Sequence, residues 1–195
     1  MAEISATRTW RSRAARLREH RSGRTRGRRS SGANRLRRLL LMPSGWRIVR
    51  AARIKTAFTG EGSRVYGGRW NSRGTSVVYV SEHESLAALE LLVHTMPLSP
   101  IDRYFSFRLE WNDNFTEYFP MKKLPPDWNA EPPTSASMRI GDEWARRASS
   151  VALALPSLLS TSELNFLLNP NHPDFKRIKI NGPIEYHFDP RIARR

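Results

Sequence analysis

A carboxylate stands where an apolar side chain would be expected. Over Glu82–Thr95 the chain reads as a helix, and on it Leu86, Glu90 and Val93 share one face, with Leu89 and Leu92 alongside. Placing a carboxylate in such a stripe is costly unless it is paired or opens into a cavity. Two readings follow. Glu90 pairs with His94 one turn on, or Glu90 is an active-site carboxylate whose acidity its pocket sets.

A second concentration of chemistry lies upstream, in Gly60-Glu61-Gly62-Ser63-Arg64-Val65-Tyr66-Gly67-Gly68-Arg69-Trp70-Asn71. Neither nucleotide-loop motif is present: the third glycine of a dinucleotide fold is missing, and no Lys-Ser/Thr follows as in a P-loop. The glycines either satisfy positive φ and close backbone approach or let a ligand's phosphates near the backbone. Arg69, among Gly67, Gly68, Trp70 and Asn71, suits a guanidinium aimed at phosphate or carboxylate, against a plain surface arginine. Tyr79 faces away from Val78 and Val80, a pattern commoner in cores than at ligands. Ser157 follows Pro156 at a strand end and is a weak signal alone. No Gly-x-Ser-x-Gly elbow supports serine hydrolysis. The five histidines are scattered without a His-Glu-x-x-His helix, so no metal site is expected.

The elements that must position these residues alternate between short strands and few helices. Trp46–Arg50 and Ser76–Ser81 read as strands. Ser81 and Glu84 form a capping-box pattern that opens the helix over Glu82–Thr95, which Pro97 ends. Asp102–Trp111 alternates as a half-buried strand. Pro120–Pro133 is loop, Ile140–Ser149 a short helix and Val151–Leu155 a strand. Glu163–Leu168 is expected to make one helical turn before Asn169-Pro170. Lys176–Ile180 and Ile184–Phe188 read as two final strands. The fold class is α+β, without internal repeats.

Composition bounds the rest. With 39% hydrophobic residues the chain can bury a core. The absence of cysteine excludes disulfides, thiolate catalysis and thiolate zinc sites. No apolar run approaches the roughly 20 residues of a membrane span, and Met1-Ala2-Glu3-Ile4-Ser5 lacks a signal core. A cytoplasmic protein without membrane contact is expected.

The net charge of +15 suggests nucleic acid until its distribution is seen. Residues 1–45 hold 13 arginines and 2 glutamates, a net +11, whereas 46–195 carry only +4. The first 45 residues read as a basic, disordered extension. It is a nucleic-acid arm, a targeting peptide or, the preferred reading, an upstream extension ahead of a start at Met42. A salt-sensitive nucleic-acid binder is therefore the lesser alternative for the whole chain.

Taken together, Gly60–Asn71, Val77-Val78-Tyr79-Val80-Ser81-Glu82, Ala87–His94, Leu155-Pro156-Ser157, Glu163–Pro173 and Phe188–Ile192 closely resemble the RES domain. That family is named for an arginine, a glutamate and a serine. The resemblance covers nearly all of 46–193; the arginine-rich N-terminus departs from it. It implies an ADP-ribosyltransferase-like α+β core with a cleft for NAD as substrate and no metal. It also implies a toxin of a bacterial toxin–antitoxin pair that consumes NAD by hydrolysis or phosphorolysis, or that ADP-ribosylates a protein. The implied partner is an Xre-like helix-turn-helix antitoxin that blocks the active-site entrance, with DNA contacted only through it. Carried over by position, Arg69, Glu90 and Ser157 are the family's arginine, glutamate and serine. Tyr79 matches its tyrosine, Arg50 an upstream cleft arginine, and Asn165 is a candidate pocket residue.

Overall fold

The computed structural model describes residues 43–95 and 102–193. The basic segment up to Met42 and the expected stop at Pro97 lie outside the described residues.

Seven strands form one sheet: β1 (Ser44–Arg50), β2 (Val78–Ser81), β3 (Tyr104–Glu110), β4 (Thr116–Tyr118), β5 (Ala152–Pro156), β6 (Leu164–Leu168) and β7 (Lys179–Tyr186). Their order is β4-β5-β6-β2-β1-β3-β7. Neighbours are antiparallel except β4 and β5. Among the described residues three α-helices accompany them: α1 (Glu61–Tyr66), α2 (Glu84–Thr95) and α3 (Ser135–Arg147).

Side chains alternate across a strand, so each strand feeds both faces of the sheet. Val49, Val78, Val80, Phe107, Leu109, Ala152, Ala154, Phe166 and Leu168 meet on one face. Ile54, Phe58, Phe115 and Phe175, from short 3₁₀ turns and loops, pack against that layer. The other face is divided. Leu153, Leu155, Leu167 and Val77 pack with Trp70 and with Trp144 of α3. Ile48 and Tyr104 pack with Ala87 and Ala88 of α2. Burying side chains of this size is worth about 1.5–3 kcal/mol each.

Several expectations change once tertiary pairing is in place. Glu163–Leu168 is not a helical turn: its residues 164–168 form β6, hydrogen-bonded to β5 on one side and β2 on the other. Two flanking strands satisfy a backbone that a single helical turn would leave half-unpaired. The glycine stretch is not all loop, because its first half forms α1, which Gly67 ends at φ 73°. The second long helix starts at Ser135, five residues before Ile140, where Thr134 accepts the Ser137 N–H and caps it. The two final strands are one strand, β7, carrying a register shift near Gly182-Pro183. Helix α2 begins at Glu84, and the Ser81 hydroxyl does not cap it.

Candidate active site

The face that α2 and α3 share leaves a polar stripe between them. Tyr79 and Ser81 alternate with Val78 and Val80, and Asn165 alternates with Phe166, so all three polar residues point away from the apolar layer. Ser81 lies directly across from Asn165 in the β2–β6 register, and Asn165 in turn opposes Leu155 of β5. Ser157 follows β5 immediately. Glu90 comes onto this stripe from α2.

The carboxylate is held by one oxygen. Glu90 Oε1 accepts from Asn165 Nδ2 at 2.6 Å and from Ser157 Oγ at 3.3 Å. The Ser157 oxygen itself accepts from the Leu159 and Ser160 N–H groups at 3.1 and 3.2 Å. Two backbone donors on its lone pairs leave the hydroxyl proton for Glu90. Ser157 is thus a donor to the carboxylate and is not activated as a nucleophile. Both donors converge on Oε1, which leaves Oε2 of the half-buried Glu90 without a hydrogen bond among the described residues. The alternative of a Glu90–His94 pair is not realised; His94 is exposed in the last turn of α2.

Arg69 is fixed on a loop that Tyr79 and α3 brace. The Tyr79 hydroxyl accepts from the Trp70 N–H at 3.1 Å and donates to Asn71 Oδ1 at 2.8 Å. Asn71, fully buried, donates to the Ser63, Ser72 and Thr75 carbonyls. Asp142 of α3 accepts the Ser72 N–H at 2.9 Å. A Cβ on Gly68 would stand 2.6 Å from the Tyr79 hydroxyl, so close approach explains this glycine. Burial pushes the Tyr79 phenol well above its ordinary range, and the Asp142 and Glu90 charges act in the same direction; the Trp70 N–H and the Arg69 charge oppose them. Glu90 and Arg69 therefore both act on the Tyr79 phenol, one raising and the other lowering its pKa.

The Arg69 guanidinium is engaged with the proline-rich loop. Nη1 donates to the Trp128 and Ala130 carbonyls at 3.0 and 2.7 Å, and Nη2 to Glu131 Oε2 at 2.9 Å. Trp128 stacks on Trp70 with ring centroids 5.8 Å apart. Glu131 is 76% exposed and Arg69 only 13%, so the carboxylate is the displaceable member of that pair.

Arg50 does not join this cluster. It ends β1, exposed, with its Nε 3.3 Å from Asp102. It lies roughly 13 Å along the strand from Trp46, the residue paired with Ser81. The arginine that sequence reasoning missed is Arg47. Strands β1 and β2 share the single register pair Trp46↔Ser81, whereas β6 pairs with all four residues of β2. Arg47 bridges the seam, its Nη1 donating to the Tyr79 carbonyl at 2.6 Å. Its buried Nε has no partner, and burial pushes its pKa down to about 10. A shielded cation without a carboxylate is costly for stability alone and suits an anionic ligand. Its position two residues from Val49 offered the signal: the two share a strand face, and an arginine in line with a core residue is the same anomaly as Glu90. Among the described residues no cluster of three or more metal-ligating side chains occurs, and no helix is long and apolar enough to cross a membrane.

Residues 44–189 match the RES domain. The chain belongs to the RES domain family. Within it, the Toxin Res of Yersinia enterocolitica is 36% identical over 148 residues, spanning 75% of this chain and 97% of that protein. The Prs ADP-ribosylating toxin of a Sphingobium strain is 36% identical over 158 residues, 78% of this chain and 98% of that toxin. Among solved structures, the M. tuberculosis MbcT–MbcA toxin–antitoxin complex holds a chain of the same fold. The two superpose with a TM-score of 0.60 at 15% identity, over 74% of this chain and 84% of the other. This RES protein is therefore a member of a toxin family with an α+β core, and the Arg69, Glu90 and Ser157 positions fall on its loop, helix and strand end as described.

Proposed function

We propose that this RES protein is a toxin that cleaves the nicotinamide–ribose bond of NAD, with water or phosphate as acceptor. The observation that carries the reading is the half-committed Glu90 carboxylate, anchored through Oε1 with Oε2 free. Breaking the C–N bond sends its electron pair to the nicotinamide nitrogen and leaves positive charge on the ribose. A fixed carboxylate oxygen stabilises that charge electrostatically and without reorganisation. The acceptor oxygen then bonds to the ribose carbon and releases its proton. Because nicotinamide departs as a neutral base, little acid catalysis is needed.

The other residues bind and orient. Arg69 would take the pyrophosphate by exchanging Glu131 for a phosphate oxygen, a charge-assisted replacement of like geometry. Arg47 supplies the second, uncompensated positive charge at the seam. The ring of Tyr79 would stack on nicotinamide or ribose while its hydroxyl holds the Arg69 loop. Ser157 and Asn165 fix the carboxylate's orientation. No metal enters this chemistry.

The similarity to a toxin named for ADP-ribosylation favours one second reading, transfer of ADP-ribose to a protein side chain by the same bond cleavage. A cognate antitoxin of the Xre-like helix-turn-helix class, covering the cleft, is the proposed partner; likeness to a toxin from a toxin–antitoxin complex supports it. The RES domain is proposed as the unit of function, with the basic N-terminal residues outside it.

The test is NAD consumption by the purified chain, with and without phosphate, beside Glu90→Gln. We expect loss of NAD that falls by at least about a hundredfold in the variant. Phosphate dependence selects phosphorolysis over hydrolysis. Label transfer from NAD to protein without free ADP-ribose selects the second reading. Consumption by Glu90→Gln at the wild-type rate would overturn the assignment.

A further inference from the structure

Ser81 has the sequence signature of a helix cap and does something else. Its hydroxyl, buried at 4% exposure, donates to Asn165 Oδ1 at 2.8 Å. The α2 helix starts at Glu84 instead, with the Ala87 N–H bonded to the His83 carbonyl. The 82–83 turn is tied to β6 by the Glu82 N–H bonded to the Leu164 carbonyl and by the Leu164 N–H bonded to Glu82 Oε2.

The consequence lies in the Asn165 amide. An asparagine side chain has one donating and one accepting end, and the two are nearly equal in size. A carboxylate only accepts, so the NH2 end must face Glu90. The opposite orientation would place the amide oxygen against Glu90 Oε1, two acceptors at hydrogen-bond distance. The carboxylate selects this orientation, since a serine hydroxyl can donate or accept; by donating to the carbonyl end, Ser81 anchors the amide in it. We infer that Ser81 is a positioning residue: through Asn165 it fixes the orientation of the Glu90 carboxylate and so the direction in which Oε2 faces. The inference rests on the proposed role of Glu90, and its chemistry is a two-bond relay from Ser81 to Asn165 to Glu90.

The test compares Ser81→Ala, Ser81→Thr and wild type by two measurements, one of which needs no turnover. The first is the side-chain ¹⁵N amide signal of Asn165, its shift and its hydrogen exchange. In Ser81→Ala this signal should move and exchange faster, and Ser81→Thr should restore it. The second is steady-state NAD consumption. Ser81→Ala should lower kcat about tenfold with KM within twofold, and Ser81→Thr should recover most of it. In a Glu90→Gln background, Ser81→Ala should cost nothing further, because the relay ends at the lost charge. A mere packing role would lower the melting temperature and leave kcat and the double-variant comparison unaffected. An unchanged Asn165 signal, or an unchanged kcat in Ser81→Ala, overturns the inference. If wild type consumes no NAD, the proposed function fails, and the Asn165 signal alone decides whether the relay exists.

Discussion

Asn165 and Glu90, 75 residues apart in the chain, meet in a hydrogen bond of 2.6 Å that engages Oε1 and leaves Oε2 without one. Ser157 reaches the same oxygen at 3.3 Å. The two contacts differ in length, and their loss should differ accordingly. Asn165→Ala is expected to lower kcat for NAD consumption about ten- to a hundredfold, and Ser157→Ala about tenfold or less. Asn165→Asp should be worse than Asn165→Ala, since it sets a second carboxylate against Oε1. Steady-state kinetics on the three variants checks the order; a milder effect for Asp than for Ala would contradict this geometry.

The Arg69 loop is seated on α3 with no room to spare. A Cβ on Gly141 would lie 1.8 Å from the Trp70 carbonyl oxygen and 2.9 Å from a Leu167 methyl. Neither the backbone oxygen nor the helix can move far. Gly141→Ala should destabilise the protein by about 3 kcal/mol or more. Thermal melting should show a drop of roughly 6–12 °C. A melting temperature within about 2 °C of wild type would mean that the loop and helix are not in register as described.

The proposed binding role of Arg47 implies a trade against stability. Its half-buried side chain has one acceptor, the Tyr79 carbonyl, and a buried, orphaned Nε. Replacing it with an apolar chain of similar length removes an uncompensated charge. Arg47→Met is therefore expected to raise the melting temperature by about 2–4 °C while raising KM for NAD at least tenfold. Calorimetry and steady-state kinetics on one preparation test both halves. A lower melting temperature with unchanged KM would assign Arg47 a purely structural role.

Tyr79 should leave a signature in alkaline stability. Burial raises its phenol pKa above the ordinary value of 10.0, so the folded protein keeps a proton that the unfolded chain sheds. The associated stability is fully present below about pH 10 and is lost as the pH rises beyond it. At pH 8, Tyr79→Phe should lower stability by about 1–3 kcal/mol, because the Trp70 N–H and the Asn71 amide oxygen lose their partner. The gap between variant and wild type should narrow from pH 10 to 11. Urea unfolding midpoints at these pH values measure it, and a constant gap would refute the raised pKa.

The sequence by itself carried the class of fold and the main chemical anomalies. Apolar alternation placed β1 and β3, because a half-buried strand must repeat with period two whatever it pairs with, and short β-branched or apolar runs placed β2 and β5. The apolar stripe of α2 made Glu90 stand out before any partner was known, because a lone carboxylate among leucines needs an explanation in any fold. Arg69, Tyr79 and Ser157 could be named from the combination of motifs that resembles the RES domain, and Asn165 as a candidate beside them.

Pairing between distant segments decided the rest. β6 looked like a helical turn locally, and its strand conformation comes from β5 and β2 lying on either side of it. The choice between His94 and a pocket for Glu90 depended on Ser157 and Asn165, which lie 67 and 75 residues away. Arg47 rather than Arg50 occupies the seam because β1 and β2 part after a single register pair, a fact about two strands that neither sequence contains. Ser81 carries a local capping pattern, but its hydroxyl is taken by the residue opposite it in the sheet. Local patterns report what a segment can bury; only the tertiary structure decides which buried polar group meets which partner, because a hydrogen bond needs both ends within about 3 Å.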